Sequence, residues 1–466
     1  MIEHNLPVLV PLILLFGALS TSLLGSWKRA LAYPLALASV AAALVIAVLG
    51  LRQTISAGAI RYYLGGWAAP IGIEYVLDPL SAFMLTVVLA VAVLVFVHAR
   101  TVVAAELQGR TVPFYAVALL LLTGFSGIVM AGDLFNLYVF LEISSLAGYA
   151  LIAVGEKPSP VAAFRYLLVG TIGASFYLLG VGFIYIMTGS LNIADVAKIL
   201  PALVSEPPVL VGLIFIVVGL AIKMALFPLH GWLPDAYTYA PSSSSALIAP
   251  IGTKIGAYVL LRILFFTFEP AAVRDTLPVA DIILGLSLGG ILFGSIMAIA
   301  QKELKRMLAY SSVAQIGYIG LGIGLANPLG FVGAVLHVLN HAFMKGGLFL
   351  VAGNLRLQIG HSTISGFDDS LRKAMPWTMA AFALFSLSMI GIPPTAGFFS
   401  KWYLVLAGFE NSNWIAIVVI LASSLLNAVY FFRILEKVYL KSSKKGEGTD
   451  SNLPRKEVNT SMLAPT

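Results

Sequence analysis

The sequence predicts an all-α polytopic membrane protein of thirteen or fourteen transmembrane helices, and three observations carry that prediction. The 466 residues are 59% hydrophobic and only 11% charged, with a mean hydropathy of +0.96. A soluble domain of this length needs far more charge to cover its surface. Apolar runs of about 18 residues or more recur from end to end, each long enough to cross hydrocarbon as a helix. The alternating polarity that marks the strands of a membrane barrel is missing.

Taken in order, the spans fall near 7–26, 30–51, 76–97, 113–131, 134–154, 161–187, 208–238, 243–267, 280–300, 307–325, 330–353, 376–408 and 414–436. The first has no basic leader: Glu3 precedes it and Lys28 and Arg29 follow. It therefore reads as a retained helix and not as a cleaved signal peptide. The seventh is interrupted at Pro228 and Pro234, and the twelfth at Pro393 and Pro394, where proline removes a backbone donor and breaks the ladder.

The loops give the orientation. After odd-numbered spans come Lys28, Arg29, Arg100, Arg110, Lys302, Lys305, Arg306, Arg356 and the basic group at 437–445, among others. After even-numbered spans there is little beyond Arg52, Arg61, Lys198 and Arg274. The asymmetry predicts cytoplasmic odd loops and an N-terminus outside.

Four segments follow. Residues 1–112 hold the first three spans, and 113–267 a first five-helix repeat (spans four to eight). Residues 280–436 hold a second repeat (spans nine to thirteen), and 437–466 a polar cytoplasmic tail. An odd number of helices per block inverts the second block, and inverted repeats with broken helices are a transporter architecture. The tail is predicted to be disordered as far as Val458, and its end, "SMLAPT", to lead into a fourteenth helix cut from the sequence.

With no cysteine in the chain, disulfides, thiolate-held iron–sulfur clusters and thioether-linked haem are excluded. The six histidines leave bis-histidine haem open by composition, but no cofactor or metal is expected. The net charge of +7 lies mostly in short loops, so it orients the chain and does not indicate nucleic acid.

A charge within the bilayer costs several kcal/mol, so each one marks a pathway, a pair or a cavity. Five places stand out. Glu142 lies two turns into the fifth span, Lys223 in the seventh and Lys254 near the centre of the eighth. The eleventh carries "LHVLNHAFMKGGLFL", in which His337, His341 and Lys345 recur every four residues on one face, with Asn340 nearby. Lys401 follows the break of the twelfth. Simpler readings stand beside these. Lys401 could snorkel to the headgroups, and His337 could be a packing histidine. Asp78 and Asp133 suit helix caps, as do the serines at 242–245. Glu142 beside Lys223 would offset desolvation: at ~4 Å and an effective dielectric near 20 the attraction is about 4 kcal/mol. Burial disfavours an ammonium and a carboxylate restores it, so a lysine balanced in this way can release and regain a proton.

Six ordered motifs, "LFNLYVFLEISSLAGYALIA", "AIKMALFPLHGWLPDAY", "TKIGAYVLLRI", "LKRMLAYSSVAQIGY", "NHAFMKGGLFL" and "IPPTAGFFSKWY", resemble the proton-conducting antiporter-like family. That family includes membrane subunits of respiratory complex I, of membrane-bound hydrogenases and of Mrp-type sodium/proton antiporters. The stretch around Glu142 looks most like the D subunit of Mrp antiporters. The resemblance covers 75–436 and implies fourteen helices with two inverted five-helix repeats. It implies that Glu142, Lys223, Lys254 and Lys401 are the family's buried charged residues and that His230 is the histidine at the seventh-helix break. His337, His341 and Lys345 would join the two halves of the polar axis. Some complex I members carry glutamate at the twelfth-helix position, so Lys401 favours the Mrp-like and hydrogenase-like relatives.

The expected function is proton translocation as one subunit of a multisubunit cation/proton antiporter, with other membrane subunits as partners. The alternative is a proton-pumping subunit of a hydrogenase or complex I-like oxidoreductase, with the redox chemistry elsewhere. A free-standing solute transporter would need a midplane pocket, whereas these charges follow one another from helix to helix.

Overall fold

A computed structural model describes residues 3–268, 270–441 and 456–466. In chain order come α1 (Leu6–Trp27), α2 (Ala32–Ala57), strands β1 (Ile60–Tyr63) and β2 (Glu74–Leu77), and α3 (Pro79–Glu106). Next are α4 (Thr111–Met130), α5 (Leu134–Ala153), α6 (Ser159–Thr188), α7 (Ile193–Ile199), α8 (Pro207–Met224), α9 (Leu233–Tyr239) and α10 (Ser242–Arg262). Then follow α11 (Val279–Ala300), α12 (Leu304–Gly324), α13 (Pro328–Ile359), α14 (Asp369–Ala374), α15 (Pro376–Ile390), α16 (Ala396–Glu410), α17 (Trp414–Leu435) and α18 (Thr460–Leu463).

Among the described residues, eleven helices are long and apolar enough to cross a membrane. With α12 and the divided pair α15 and α16 they account for the thirteen expected spans. Both expected breaks are present. The seventh span stops at Met224, where Ala225 turns left-handed (φ 58°), and resumes as α9. The twelfth stops at Ile390, where Gly391 does the same (φ 90°), and resumes as α16.

The caps agree in part. Asp78 accepts from the Ser81 N–H at 2.8 Å and Asp133 from the Asn136 N–H at 2.7 Å, as expected. At the start of α10, where the serines at 242–245 were expected to cap, a carboxylate from α3 takes part. Glu106 accepts from the Ser242 N–H at 2.8 Å and from Ser242 Oγ at 2.6 Å. A carboxylate at a helix N-terminus is worth more than a hydroxyl, because it carries the charge the helix dipole favours. Lys305, expected as a loop cation, is fully buried in the first turn of α12, where it donates to the Ala240 carbonyl at 2.5 Å. The hydropathy pattern held no sign of the antiparallel hairpin β1–β2, paired from Ile60 with Leu77 to Tyr63 with Glu74. Of the tail predicted to be disordered, residues 442–455 lie outside the described residues. Residues 456–458 correct that reading, because Glu457 accepts from the Trp377 and Thr378 N–H groups at the start of α15 and Val458 is buried. The segment at 461–466, where a lead-in to a fourteenth helix was expected, includes part of the single turn α18.

The chain divides into two compact units: Met1–Val93, Gly109–Ala225 and Ile251–Ala280 in the first, and Leu94–Gln108, Leu226–Pro250 and Asp281–Thr466 in the second. In the first unit α6 packs along α8 through small residues. A Cβ at Gly219 would lie 2.5 Å from the Gly173 carbonyl oxygen, and one at Gly180 would lie 2.5 Å from that of Gly212. Small residues let membrane helices approach at backbone distance, where packing and not hydrophobicity holds them. In the second unit α13 packs against α12, α15 and α16. Its core joins Tyr318, Leu321 and Leu325 to Leu404, Ala407 and Ile420.

Candidate functional site

In the first unit, α5 and α8 bring Glu142 and Lys223 together. Lys223 is on the last turn of α8, just before the break, and its Nζ lies 3.7 Å from Glu142 Oε1. The ammonium also donates to Ser145 Oγ at 2.7 Å, one helical turn along α5 from the glutamate. The lysine side chain is 6% exposed and the glutamate 25%. The pair is therefore asymmetric, with a buried cation and an acid that retains room to move. Position 223 also puts the charge at the C-terminal end of its half-helix, where free carbonyl groups favour a cation.

Lys254 is fully buried on α10, with Nζ 3.4 Å from Thr253 Oγ1. Tyr258 and Arg262 follow it at four-residue steps on the same face. The Tyr258 hydroxyl donates to the Val129 carbonyl at 2.8 Å and accepts from Arg262 Nε at 2.9 Å. Arg262 in turn pairs with Asp78 at 2.5 Å. Asp78, Tyr258 and Arg262, with Arg61 and Glu74, line a cavity of about 180 Å³. Arg61 donates to Glu74 at 2.9 Å and Asn192 does so at 2.7 Å. Burial pushes the Asp78 carboxyl up, but the hydrogen bonds and charge of Arg262 and the bonds from Ser81 outweigh it and hold the group below the usual carboxylate range.

The second unit holds His230, His337, His341, Lys345 and Lys401. His230 is buried in the break after α8, stacked on Phe227 (centroids 5.6 Å apart) and tilted against Phe293 (5.0 Å). His337, His341 and Lys345 are all completely buried on one face of α13, and the two imidazoles stack at 6.0 Å. His337 Nδ1 is 3.0 Å from Ser400 Oγ on α16, and Nε2 is 2.9 Å from Gln315 Oε1 on α12. An amide oxygen only accepts, so Nε2 carries the hydrogen in this arrangement; turning the Gln315 amide would exchange donor for acceptor. The histidine is thus held between two partners able to follow a change in its protonation.

Lys345 Nζ donates to the Leu308 carbonyl and to Ser311 Oγ, both at 3.0 Å. Lys401 reaches back from α16 across the break to the last carbonyl groups of α15. It donates to Met389 at 3.0 Å, to Ile390 at 2.8 Å and to Ser424 Oγ at 3.2 Å. Its Nζ also lies 4.9 Å from the centroid of the Tyr318 ring. Lys401 is 5% exposed and does not snorkel. Asn340 is bound to the Ala396 carbonyl at 2.6 Å, on the exposed side of α13 and apart from the buried groups.

Several polar groups in these networks carry no mark in the sequence that singles them out: Ser145, Gln315, Ser311 and His98. His98 is fully buried on α3, with Nε2 2.8 Å from Asn354 Oδ1. For Asn427 and Tyr430 there was a faint signal. With Ser423 they fall at spacings of four and three in an otherwise apolar span, which places them on one helix face.

A family profile described as NADH:quinone oxidoreductase/Mrp antiporter, TM, matches residues 131–427. The chain is 50% identical to the N subunit of the NADH-quinone oxidoreductase of Desulforudis audaxviator, over 99% of this chain and 93% of that protein. It is 33% identical to the D subunit of the Na(+)/H(+) antiporter of Alkalihalophilus pseudofirmus, over 82% of this chain and 77% of that one. Among solved structures, a chain of the membrane-bound sulfane sulfur reductase, an archaeal respiratory membrane complex, superposes with a TM-score of 0.89 at 31% identity. That superposition covers 96% of this chain and 91% of the other.

Proposed function

The chain belongs to the NADH:quinone oxidoreductase/Mrp antiporter family of membrane subunits, and from that premise we propose that it moves protons within a larger membrane complex. The groups that carry them are Glu142, Lys223 and Lys254 in the first unit and His337, His341 and Lys401 in the second, with Lys345 and His230 beside them. The observation that supports this most directly is Lys223: a buried ammonium 3.7 Å from a partly exposed glutamate, with a serine hydroxyl at 2.7 Å to hold it when the glutamate moves. We further propose that blocks 113–267 and 280–436 are inverted repeats, that the N-terminus lies outside, and that the membrane is the cell membrane. The basic odd loops support the orientation.

Two energy sources fit the family. As part of a cation/proton antiporter the chain would exchange protons for sodium. As part of a redox complex it would use electron transfer in its partners. The identity of 50% over nearly the whole chain to a quinone oxidoreductase subunit, against 33% to an antiporter subunit, favours the redox-driven partner. Purifying the native complex and identifying its other subunits decides between them: iron–sulfur or nickel–iron proteins for the second, small antiporter subunits for the first. Proton translocation itself is tested by Lys223→Ala in the assembled complex in proteoliposomes. Driven acidification of the lumen should fall to background, and undiminished acidification would overturn the assignment.

A further inference from the structure

Lys345 and Lys401 are joined by a line of hydrogen bonds that bypasses the histidines and runs through α17, a span that carries none of the charged groups of the polar axis. Lys345 Nζ donates to Ser311 Oγ at 3.0 Å. The Tyr430 hydroxyl lies 2.9 Å from Ser311 Oγ on one side and 3.0 Å from Asn427 Oδ1 on the other. Asn427 Nδ2 faces the Met389 carbonyl at 3.4 Å, the same oxygen that accepts from Lys401 at 3.0 Å. All the side chains in this line except Lys401 are completely buried, and Lys401 is 5% exposed. Ser295 adds a weak contact to Asn427 Oδ1 at 3.5 Å and a stronger one to Ser423 at 2.9 Å. The remaining charge on this face, Arg433, donates to the Ile299 and Gln301 carbonyls at the end of the span.

Tyr430 has one hydroxyl hydrogen and two acceptors at almost equal distance, so it can serve one at a time. Which one it serves depends on Lys345. An ammonium at Ser311 repels the phenolic hydrogen and turns it toward Asn427. A neutral amine leaves Ser311 free to take that hydrogen. A hydrogen bond into Asn427 Oδ1 polarises the amide and strengthens its N–H donors, as chains of such bonds do in a low dielectric. The strengthened donor competes with Lys401 for Met389. A proton on Lys345 therefore loosens the hold on the proton of Lys401.

We infer that Tyr430 and Asn427 form a two-position hydrogen-bond switch that couples the protonation of Lys345 to that of Lys401. They are positioning residues: no proton passes through the amide. The inference rests on the proton-translocating reading above and adds to it the ordering of two proton sites.

The test uses the assembled complex in proteoliposomes, with lumenal acidification driven by its own reaction. Tyr430→Phe keeps the ring and removes the hydroxyl, and should slow acidification about tenfold, the scale of one shared network. Asn427→Ala should do the same, and the double variant should be no slower than either single one, because both interrupt one line. A fluorotyrosine placed at position 430, which restores a hydroxyl, should recover most of the rate. Separate effects of the two substitutions, unconnected through the Tyr430 hydroxyl, would instead give multiplied losses in the double variant and a fluorotyrosine rate no better than that of Tyr430→Phe. Either result overturns the switch, as does a full rate in Tyr430→Phe alongside an inactive Lys223→Ala. A fully active Lys223→Ala overturns the proton-translocating reading itself. If one single variant does not assemble, the other single variant with the fluorotyrosine chain carries the same test.

Discussion

Lys223 Nζ stands 3.7 Å from Glu142 Oε1 and only 2.7 Å from Ser145 Oγ, so the hydroxyl, not the carboxylate, makes the shorter bond to the buried ammonium. The attraction to Glu142 is mainly coulombic and survives small movements, whereas the bond to Ser145 fixes the lysine in place. The two variants should therefore differ in kind. Glu142→Gln removes the charge that makes the lysine adjustable and should reduce proton movement at least about tenfold, equivalent to about 1.4 kcal/mol. Ser145→Ala leaves the counter-charge and should cost only a few-fold in rate. Parallel acidification assays on the two assembled variants check the ranking, and equal losses would contradict it.

Gly219 is one helical turn before Lys223 and places it. A Cβ there would meet the Gly173 carbonyl oxygen at 2.5 Å and the Tyr177 nitrogen at 2.7 Å, both backbone atoms that cannot give way alone. Gly219→Val should force α8 from α6, at a cost of about 1–3 kcal/mol in stability, and should weaken transport by displacing Lys223. Gly182→Ala on α6, where nothing lies within 4 Å of the added carbon, should change neither. Melting of the detergent-solubilised complex, with acidification as the second readout, separates the two.

The contrast between Lys223 and Tyr430 explains how far the sequence could be read. A charge in an apolar run is costly enough to demand a partner, so Glu142 and Lys223 could be paired from their positions alone. Neutral polar groups such as Gln315, Asn427 and Tyr430 carry no such demand, and their partners are up to 132 residues away in the chain. Glu106 could not be assigned to the start of α10 for the same reason, since 136 residues separate it from Ser242. Lys305 was misplaced because a basic residue near a span end usually faces water, and here tertiary packing overrides that rule. The helical breaks were legible because proline at Pro228 and Pro394 acts locally on the backbone.

Asp78 gives its clamp to Arg262 in the first unit a definite acid response. Its carboxyl is held below the usual range, chiefly against burial, by Arg262 and Ser81. A group with a lowered folded pKa contributes stability above its unfolded value, about 3.9, and loses it as pH falls through the folded value. The clamp to Arg262 should therefore hold from neutral pH through the ordinary carboxylate range and loosen only below it. Asp78→Asn should lower the melting temperature at neutral pH and flatten its decline in acid. The side chain is 21% exposed, so the expected loss is at the low end of the range for a bond to a charged group, about 1.5 kcal/mol. A variant whose melting curve keeps the wild-type acid dependence would show that the clamp is not what responds.

Lys401 has two tasks that separate on substitution. It satisfies the last carbonyl groups of α15 at Met389 and Ile390, and in the proposed function it binds and releases a proton. Lys401→Ala removes both roles. It leaves the Ile390 carbonyl short of its donor, at about 1–3 kcal/mol, and the Met389 carbonyl with only the longer bond from Asn427, and should lower both the yield of the complex and its proton movement. Lys401→Arg keeps donors for those carbonyls but places there a group that stays protonated at every accessible pH. That variant should assemble with near-normal thermal stability and still fail to acidify the lumen. Normal transport in Lys401→Arg would mean that the residue serves only to close the broken helix, and the proton would then have to leave the second unit from His337 or Lys345.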